Sequence, residues 1–175
     1  MENLSEARIY VGTYKKYNNG SLAGAWLDLS DYSDKEEFLN ACHDLHNNES
    51  DPEFMFQDWE NIPDCLISES YLSDKFFELR DALEELSEDE QNAFFVWCEY
   101  KFNDISEKDV DLLVSDFKDE YLGDYESKKD FAFEQIEENE ELSDFAKRYF
   151  DYESYSRDIF INEYYFESGH VFLRA

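Results

Sequence analysis

The sequence predicts an α+β chain of three small subdomains in series, and three observations predict it. Strand and turn signals alternate through the first third, clean helical stripes fill the middle, and helical patterns followed by a hairpin signature close the chain. At 175 residues the chain is long enough to bury a core, and 16 Phe, 13 Tyr and 3 Trp supply apolar area for one. The expected divisions are 1–62 (N-terminal α/β), 63–105 (helical) and 106–175 (C-terminal α+β), connected in series.

The elements follow in order. Arg8 to Tyr14 (RIYVGTY) is rich in β-formers, Asn18-Asn19-Gly20 marks a turn, and Leu22 to Leu29 reads as a second strand. Ser33-x-x-Glu36 is a capping box opening a helix that reaches about His46. EFMFQDWE is a third strand, with Phe54, Phe56 and Asp58 facing one way and Met55, Gln57 and Trp59 the other. A small sheet with one helix results, ending near Pro63. Beyond it, Leu72, Phe76, Leu79, Leu83 and Leu86 step by four and three along one helix face. Ser87-x-x-Glu90 caps a second helix whose AFFVWCEYKF stretch is apolar nearly all round, and so central. Ser106-x-x-Asp109 opens a third, with Val110, Leu113, Val114, Phe117 and Tyr121 as its stripe and Gly123 as its end. After Ser127, Phe131 to Glu138 and Leu142 to Phe150 are helical and flank the acidic turn EENEE. IFINEYYFESGHVFLRA then reads as a hairpin turning at Ser168-Gly169.

Charge sets the function class. Asp and Glu number 45 against 15 Lys and Arg, for a net charge of −30. A disordered acidic tail would concentrate that charge at one end, whereas the three segments carry −9, −9 and −12. Duplex DNA carries about one charge per 1.7 Å of axis, so the chain matches roughly 15 base pairs and a two-fold dimer roughly 30. The acids also fall in rows. Asp74, Glu78, Asp81 and Glu85 lie opposite the leucine stripe, and Asp109, Asp116, Asp119 and Glu120 fall within roughly a quarter-turn arc of the third helix. The turn adds Glu137, Glu138, Glu140 and Glu141. Like charges at these spacings destabilise a helix by about 0.2–0.5 kcal/mol per pair, and the flanking cations Lys75 and Arg80 are too few to offset that. Rows of carboxylates offer a DNA-binding groove the contacts it otherwise finds on phosphates. The expected function is a surface imitating nucleic acid; the alternative is a general acidic module sequestering a basic protein.

Other classes are excluded on chemistry. Without a basic stripe the chain is not expected to bind nucleic acid, and an anionic membrane would repel it. No apolar run approaches the roughly 18 residues of a transmembrane helix. The opening MENLSEARIYVG lacks the basic and apolar regions of a signal peptide, which points to the cytoplasm. Cys42, Cys65 and Cys98, an odd number set among apolar neighbours, read as buried reduced thiols. Cys42, His43 and His46 share a helix but lack a second close pair, so no zinc is expected. DYSDKEEF and NDISEKDVDL lack the central Gly of a calcium loop. P-loop, GxSxG and HExxH motifs do not occur, and so many carboxylates single out no acid/base couple. The expectation is a protein that is not an enzyme and carries no catalytic residues, metal or cofactor.

Three stretches carry a family resemblance. RIYVGTYKKYNNGSLAGAWLDL (Arg8 to Leu29), with its Tyr-Asn-x-Gly-x-Leu-x-Gly-x-Trp core at Tyr17 to Trp26, resembles the N-terminal signature of the ArdA antirestriction proteins. DPEFMFQDWE (Asp51 to Glu60) is similar to the segment closing their first domain, and FDYESYSRDI (Phe150 to Ile159) to their antirestriction motif. The middle third matches only in being helical and acidic. The resemblance implies an elongated three-domain protein, encoded on mobile genetic elements, that forms a homodimer through its C-terminal domain and mimics bent B-form DNA. It implies occupation of the DNA-binding groove of type I restriction–modification enzymes, chiefly the methyltransferase core with its specificity subunit. By match of position, Asp151, Tyr152, Tyr155, Arg157 and Asp158 carry the motif, which in the family lies near the dimer contact and so serves assembly as much as the target. Arg157, a lone cation among acids, is expected to pair with a carboxylate, and Tyr152 and Tyr155 to pack in a core or interface.

Overall fold

The computed structural model describes residues 3–101, 105, 108–139 and 141–174. Its first sheet has β1 (Arg8–Thr13) at the centre, with β2 (Ala25–Asp28) and β3 (Phe54–Glu60) antiparallel on either side. The chain leaves β1 through a short helix, α1 (Tyr14–Asn18), that the turn signal hid; the Thr13 hydroxyl caps it by accepting from Lys16 N. The second strand begins at Ala25 instead of Leu22. Just before it, Gly24 passes so close to β1 that a Cβ there would lie 2.3 Å from the Val11 carbonyl oxygen. The even alternation expected of β3 fails at a bulge. Tyr10 pairs with Asp58 but Val11 with Phe56, so Gln57 is the extra residue and Met55 and Phe56 are both buried.

Helix α2 (Lys35–Leu45) seals this sheet with Phe38 and Cys42, both fully buried. Its cap lies one residue later than the Ser33 box suggests. Asp34 is the N-cap, accepting from Glu37 N, while Glu37 reaches back to the Ser33 amide and hydroxyl. A two-strand hairpin not expected from the helical stripe follows: β4 (Ile67–Ser68) and β5 (Tyr71–Leu72). Leu72 is therefore a strand residue, and Leu86 lies beyond the end of α3 (Phe76–Leu83).

Helix α4 (Glu88–Tyr100) has the full Ser87–Glu90 capping box and is central as expected, with Ala93, Phe94, Trp97 and Cys98 buried. Phe94 and Trp97 meet Phe117 of α5 (Val110–Glu120) at ring distances of 5.5 and 6.0 Å. Asp109 caps α5; Ser106 lies outside the described residues. The helix stops at Glu120 because the next residues form β6 (Tyr121–Asp124), so Gly123 sits inside a strand, at a register shift. Next come α6 (Lys128–Glu137), α7 (Asp144–Arg148), α8 (Tyr152–Asn162), β7 (Tyr164–Glu167) and β8 (His170–Leu173). Residues Ile159 to Asn162, expected to begin the hairpin, belong to α8, whose inward Ile159 and Phe160 close a helical stripe. The hairpin turn falls as expected at Ser168-Gly169, with φ of 52° and 89°, the left-handed pair that matches strand twist. The second three-stranded sheet has the order β6-β8-β7.

One apolar cluster runs from Leu4 and Ile9 through Phe38, Phe76 and Phe94 to Phe117 and Phe172. A smaller one, Phe131, Ala132, Ile159, Phe160 and Val171, holds α6 and α8 on the second sheet. Helices packed beside small antiparallel sheets make this an α+β protein.

Candidate functional site

Among the described acids all but Glu49, Glu90 and Glu120 are exposed. Of the cations, Lys15, Lys118, Lys128, Lys129, Arg148 and Arg157 are exposed too, but others are tied to neighbouring segments, most of them half-buried. Lys35 bonds the Leu72 carbonyl oxygen (2.6 Å) and Asp74, and Arg80 bonds the carbonyls of Leu29 and Tyr32 (2.8 and 2.9 Å) and Asp81. Arg8 pairs with Glu60 and lies over the Trp26 ring; Arg174 bonds the Tyr164 carbonyl oxygen. Lys16 contacts His46 Nδ1 and Glu49, and Lys101 pairs with Glu120. These cations stitch loops and strands together, whereas almost every described carboxylate faces water. This asymmetry, more than any single row, shapes the outer field.

The α3 row is shorter and more neutral than its spacing suggests. Only Glu78 and Asp81 lie on the helix; Asp74 precedes it and Glu85 follows it. Repulsion is not merely tolerated there. Lys35, Lys75 and Arg80 bring their nitrogens to Asp74, Glu78 and Asp81 at 2.5, 3.0 and 2.7 Å. The ammonium of Lys35 holds the Asp74 carboxyl below its ordinary value.

On α5, Asp116 and Asp119 are exposed, as required of a working surface. Asp109 is turned to its capping bond with Leu112 N at 2.9 Å. Glu120 does not belong to the row. It lies seven residues, close to two helical turns, after buried Leu113, which brings it back to the inner face. There it accepts from Trp97 Nε1 at 2.7 Å and from Lys101 Nζ at 3.2 Å. At the acidic turn Glu137, Glu138 and Glu141 are exposed; Glu140 lies outside the described residues.

The FDYESYSRDI motif opens α8. Asp151 is its N-cap, accepting from Ser154 N at 3.0 Å and Ser154 Oγ at 2.7 Å, and these bonds lower its carboxyl affinity for protons. The half-buried Tyr152 donates its hydroxyl to Glu137 Oε1 at 2.9 Å and the Lys147 carbonyl oxygen at 3.0 Å; desolvation and the nearby carboxylate push its pKa up. Tyr155 packs against the second core beside Phe150, 5.3 Å ring to ring. Arg157 does not form the expected ion pair. Its guanidinium donates to Ser154 Oγ at 3.2 Å, and no described carboxylate lies within 4.0 Å of it. Asp158 is exposed.

Cys42 and Cys98 are buried, which pushes both thiols up to about 12, but Cys65 is exposed, a correction to the buried reading. His43 and His46 diverge: His43 packs its ring on Phe54, while buried His46 turns Nε2 to the Val11 carbonyl oxygen at 3.1 Å. The charge-centred reading of the sequence also missed exposed aromatics. Phe133, Phe145 and Tyr149 are 50%, 71% and 74% exposed. Phe133 lies on α6, Phe145 on α7, and Tyr149 is the C-cap of α7.

The chain is thus an acidic α+β protein whose described carboxylates almost all face water. Residues 9–172 match the family model described as Antirestriction protein (ArdA). The chain belongs to the ArdA antirestriction family. None of the curated proteins compared with it matches. No described helix is long and apolar enough to cross a membrane.

Proposed function

We propose that this antirestriction protein is a non-enzymatic, stoichiometric inhibitor that works as a DNA mimic. Acting in the cytoplasm as a homodimer, it occupies the DNA-binding groove of a type I restriction–modification enzyme and so protects DNA of the mobile element that encodes it. The observation carrying this reading is the excess of exposed carboxylates: all described acids but three face water, Asp116, Asp119, Glu137 and Glu138 among them, while Lys35, Arg80 and Lys101 are held against carbonyls or a half-buried acid. A groove that normally binds phosphates meets the same sign of charge in large excess. The accessible surface, 10539 Å², exceeds the roughly 9,000 Å² of a compact monomer of this mass, which supports an elongated body with segments 1–62, 63–105 and 106–175 in series.

The test is cleavage of unmodified target DNA by a purified type I enzyme during titration with the protein. Protection complete near one dimer per DNA-binding core, and relieved by excess duplex, is the expected result. Absence of protection at large excess would overturn the reading. Equal binding to histones and lysozyme would assign the surface to a general acidic module instead.

A further inference from the structure

One edge of the first sheet is left open. A sheet edge carries unpaired main-chain donors and acceptors, which proteins commonly guard with a lysine, a proline, a bulge or a covering segment. The β3 edge is guarded: it carries the bulge at Gln57, and the Phe56 amide donates to the Glu69 carbonyl oxygen at 2.7 Å. Strand β2 carries no lysine, proline or bulge. Its Ala25-Trp26-Leu27 closes the longest uncharged run of the chain, Tyr17 to Leu27. The Leu29 amide donates to the Ala7 carbonyl oxygen at 2.8 Å, so alternation aims Leu27 and Ala25 at β1 as well. The same alternation turns the amides and carbonyls of Trp26 and Asp28 outward, and among the described residues no hydrogen bond reaches them. The loop ahead of the strand is pinned, with the Tyr10 hydroxyl donating to the Leu22 carbonyl oxygen at 3.0 Å.

We infer that β2 receives an extended, basic segment of the partner protein as a fourth strand of this sheet. The inference rests on the proposed function for the identity of that partner, the restriction enzyme, and adds a contact that duplex DNA cannot make. Charge selects the occupant. On the outer face of the sheet Trp26 and Tyr10 meet edge to face at 5.6 Å, and the exposed Asp28 and Asp58 stand beside them. The Trp26 ring already takes one guanidinium, that of Arg8, 4.7 Å from its centre, but Arg8 spends its charge on Glu60. Neither Asp28 nor Asp58 forms an ion pair among the described residues, so both carboxylates are free to meet a cation from outside. A side chain directly across from Trp26 falls on this face. The added strand therefore carries Lys or Arg at that position and an apolar residue at the next, beside half-buried Leu27. A second copy of a chain with net charge −30 would bring its own acids to this edge and be repelled. Trp26 and Asp28 alone offer main-chain groups, so the strand supplements the charge-driven contact instead of replacing it.

The test measures binding of the full chain and two variants to a purified type I methyltransferase core with its specificity subunit, by competition against labelled duplex over a salt series. Asp28 has a φ of −79°, which proline adopts, and its N–H points off the sheet. Asp28→Pro thus deletes one outward donor with the fold kept, which near-ultraviolet circular dichroism verifies. Asp28→Ala removes the same carboxylate and keeps the N–H. Asp28→Pro is expected to bind about 10-fold more weakly than Asp28→Ala with an unchanged salt slope, because a main-chain hydrogen bond releases no counterions. Hydrogen exchange on the wild-type chain reads the contact without any substitution: the Trp26 and Asp28 amides should exchange at least about 10-fold more slowly in the complex. Equal binding by the two variants, or unprotected amides in the complex, would overturn the inference. Protection that grows with protein concentration in the absence of enzyme would also overturn it, by assigning the edge to a second copy. The two readings fail differently. A wild-type chain that does not bind the enzyme sinks the mimic and the strand together, whereas a chain that binds with its Trp26 and Asp28 amides open sinks the strand alone.

Discussion

Asp119 and Glu120 are adjacent acids that sequence spacing assigns to one working row, and replacing each with Ala should separate them completely. Glu120→Ala removes the acceptor of the Trp97 indole N–H, whose residue is only 2% exposed, and the partner of Lys101. An orphaned buried donor costs about 1–3 kcal/mol, and the half-screened ion pair adds up to about 1 kcal/mol. A total near 3 kcal/mol corresponds to a fall in Tm of about 6–12 °C for a chain of this size. Asp119 is exposed, and its substitution should stay within about 0.5 kcal/mol. Thermal unfolding followed by circular dichroism reads both variants in one buffer. If Glu120→Ala melts with the wild type, or Asp119→Ala falls as far, the assignment of Glu120 to the core is wrong. Glu120→Gln, which keeps an acceptor for the indole, should recover more than half of the loss.

Further outcomes follow from the same contacts. Asp116→Asn should change the protection titration less than about 2-fold, whereas raising salt from about 50 mM to about 200 mM should weaken target association at least about 100-fold, read by competition binding. Burial holds the buried imidazoles of His46 and His170 below the ordinary 6.5. The unfolded chain then takes up more protons, so their contribution is intact above that pH and is lost as pH falls through it; melts at about pH 7.5 and about pH 5.5 should show the decline, and His170→Gln should reduce it. Gly24→Ala forces a Cβ against the Val11 carbonyl and should destabilise the first sheet by roughly 1–3 kcal/mol, measured by urea unfolding.

Local signals were legible wherever one element satisfied its own groups. The Ser87–Glu90 box, the stripe of α5 from Val110 to Phe117 and the turn at Ser168-Gly169 all lie within a few residues of the partners that define them. Elements whose reason lies elsewhere were not legible. The β4–β5 hairpin is docked on β3 through Phe56 N and the Glu69 carbonyl, and β6 exists because β8, nearly 50 residues later, pairs with it. The bulge at Gln57 likewise answers to β1 and leaves no mark in the alternation of β3 itself.

The sequence alone determined the sign and spread of the charge, the α+β class and the family motifs, because these are properties of composition and of neighbours along the chain. Which carboxylates face water and which are engaged was decided only by the tertiary structure. Lys35 neutralises Asp74 from 39 residues away, Trp97 draws Glu120 inward across 23, and Tyr152 reaches back 15 residues to Glu137. Electrostatic and hydrogen-bond energies depend on separation in space, and folding alone turns a long stretch of chain into a distance of three ångströms.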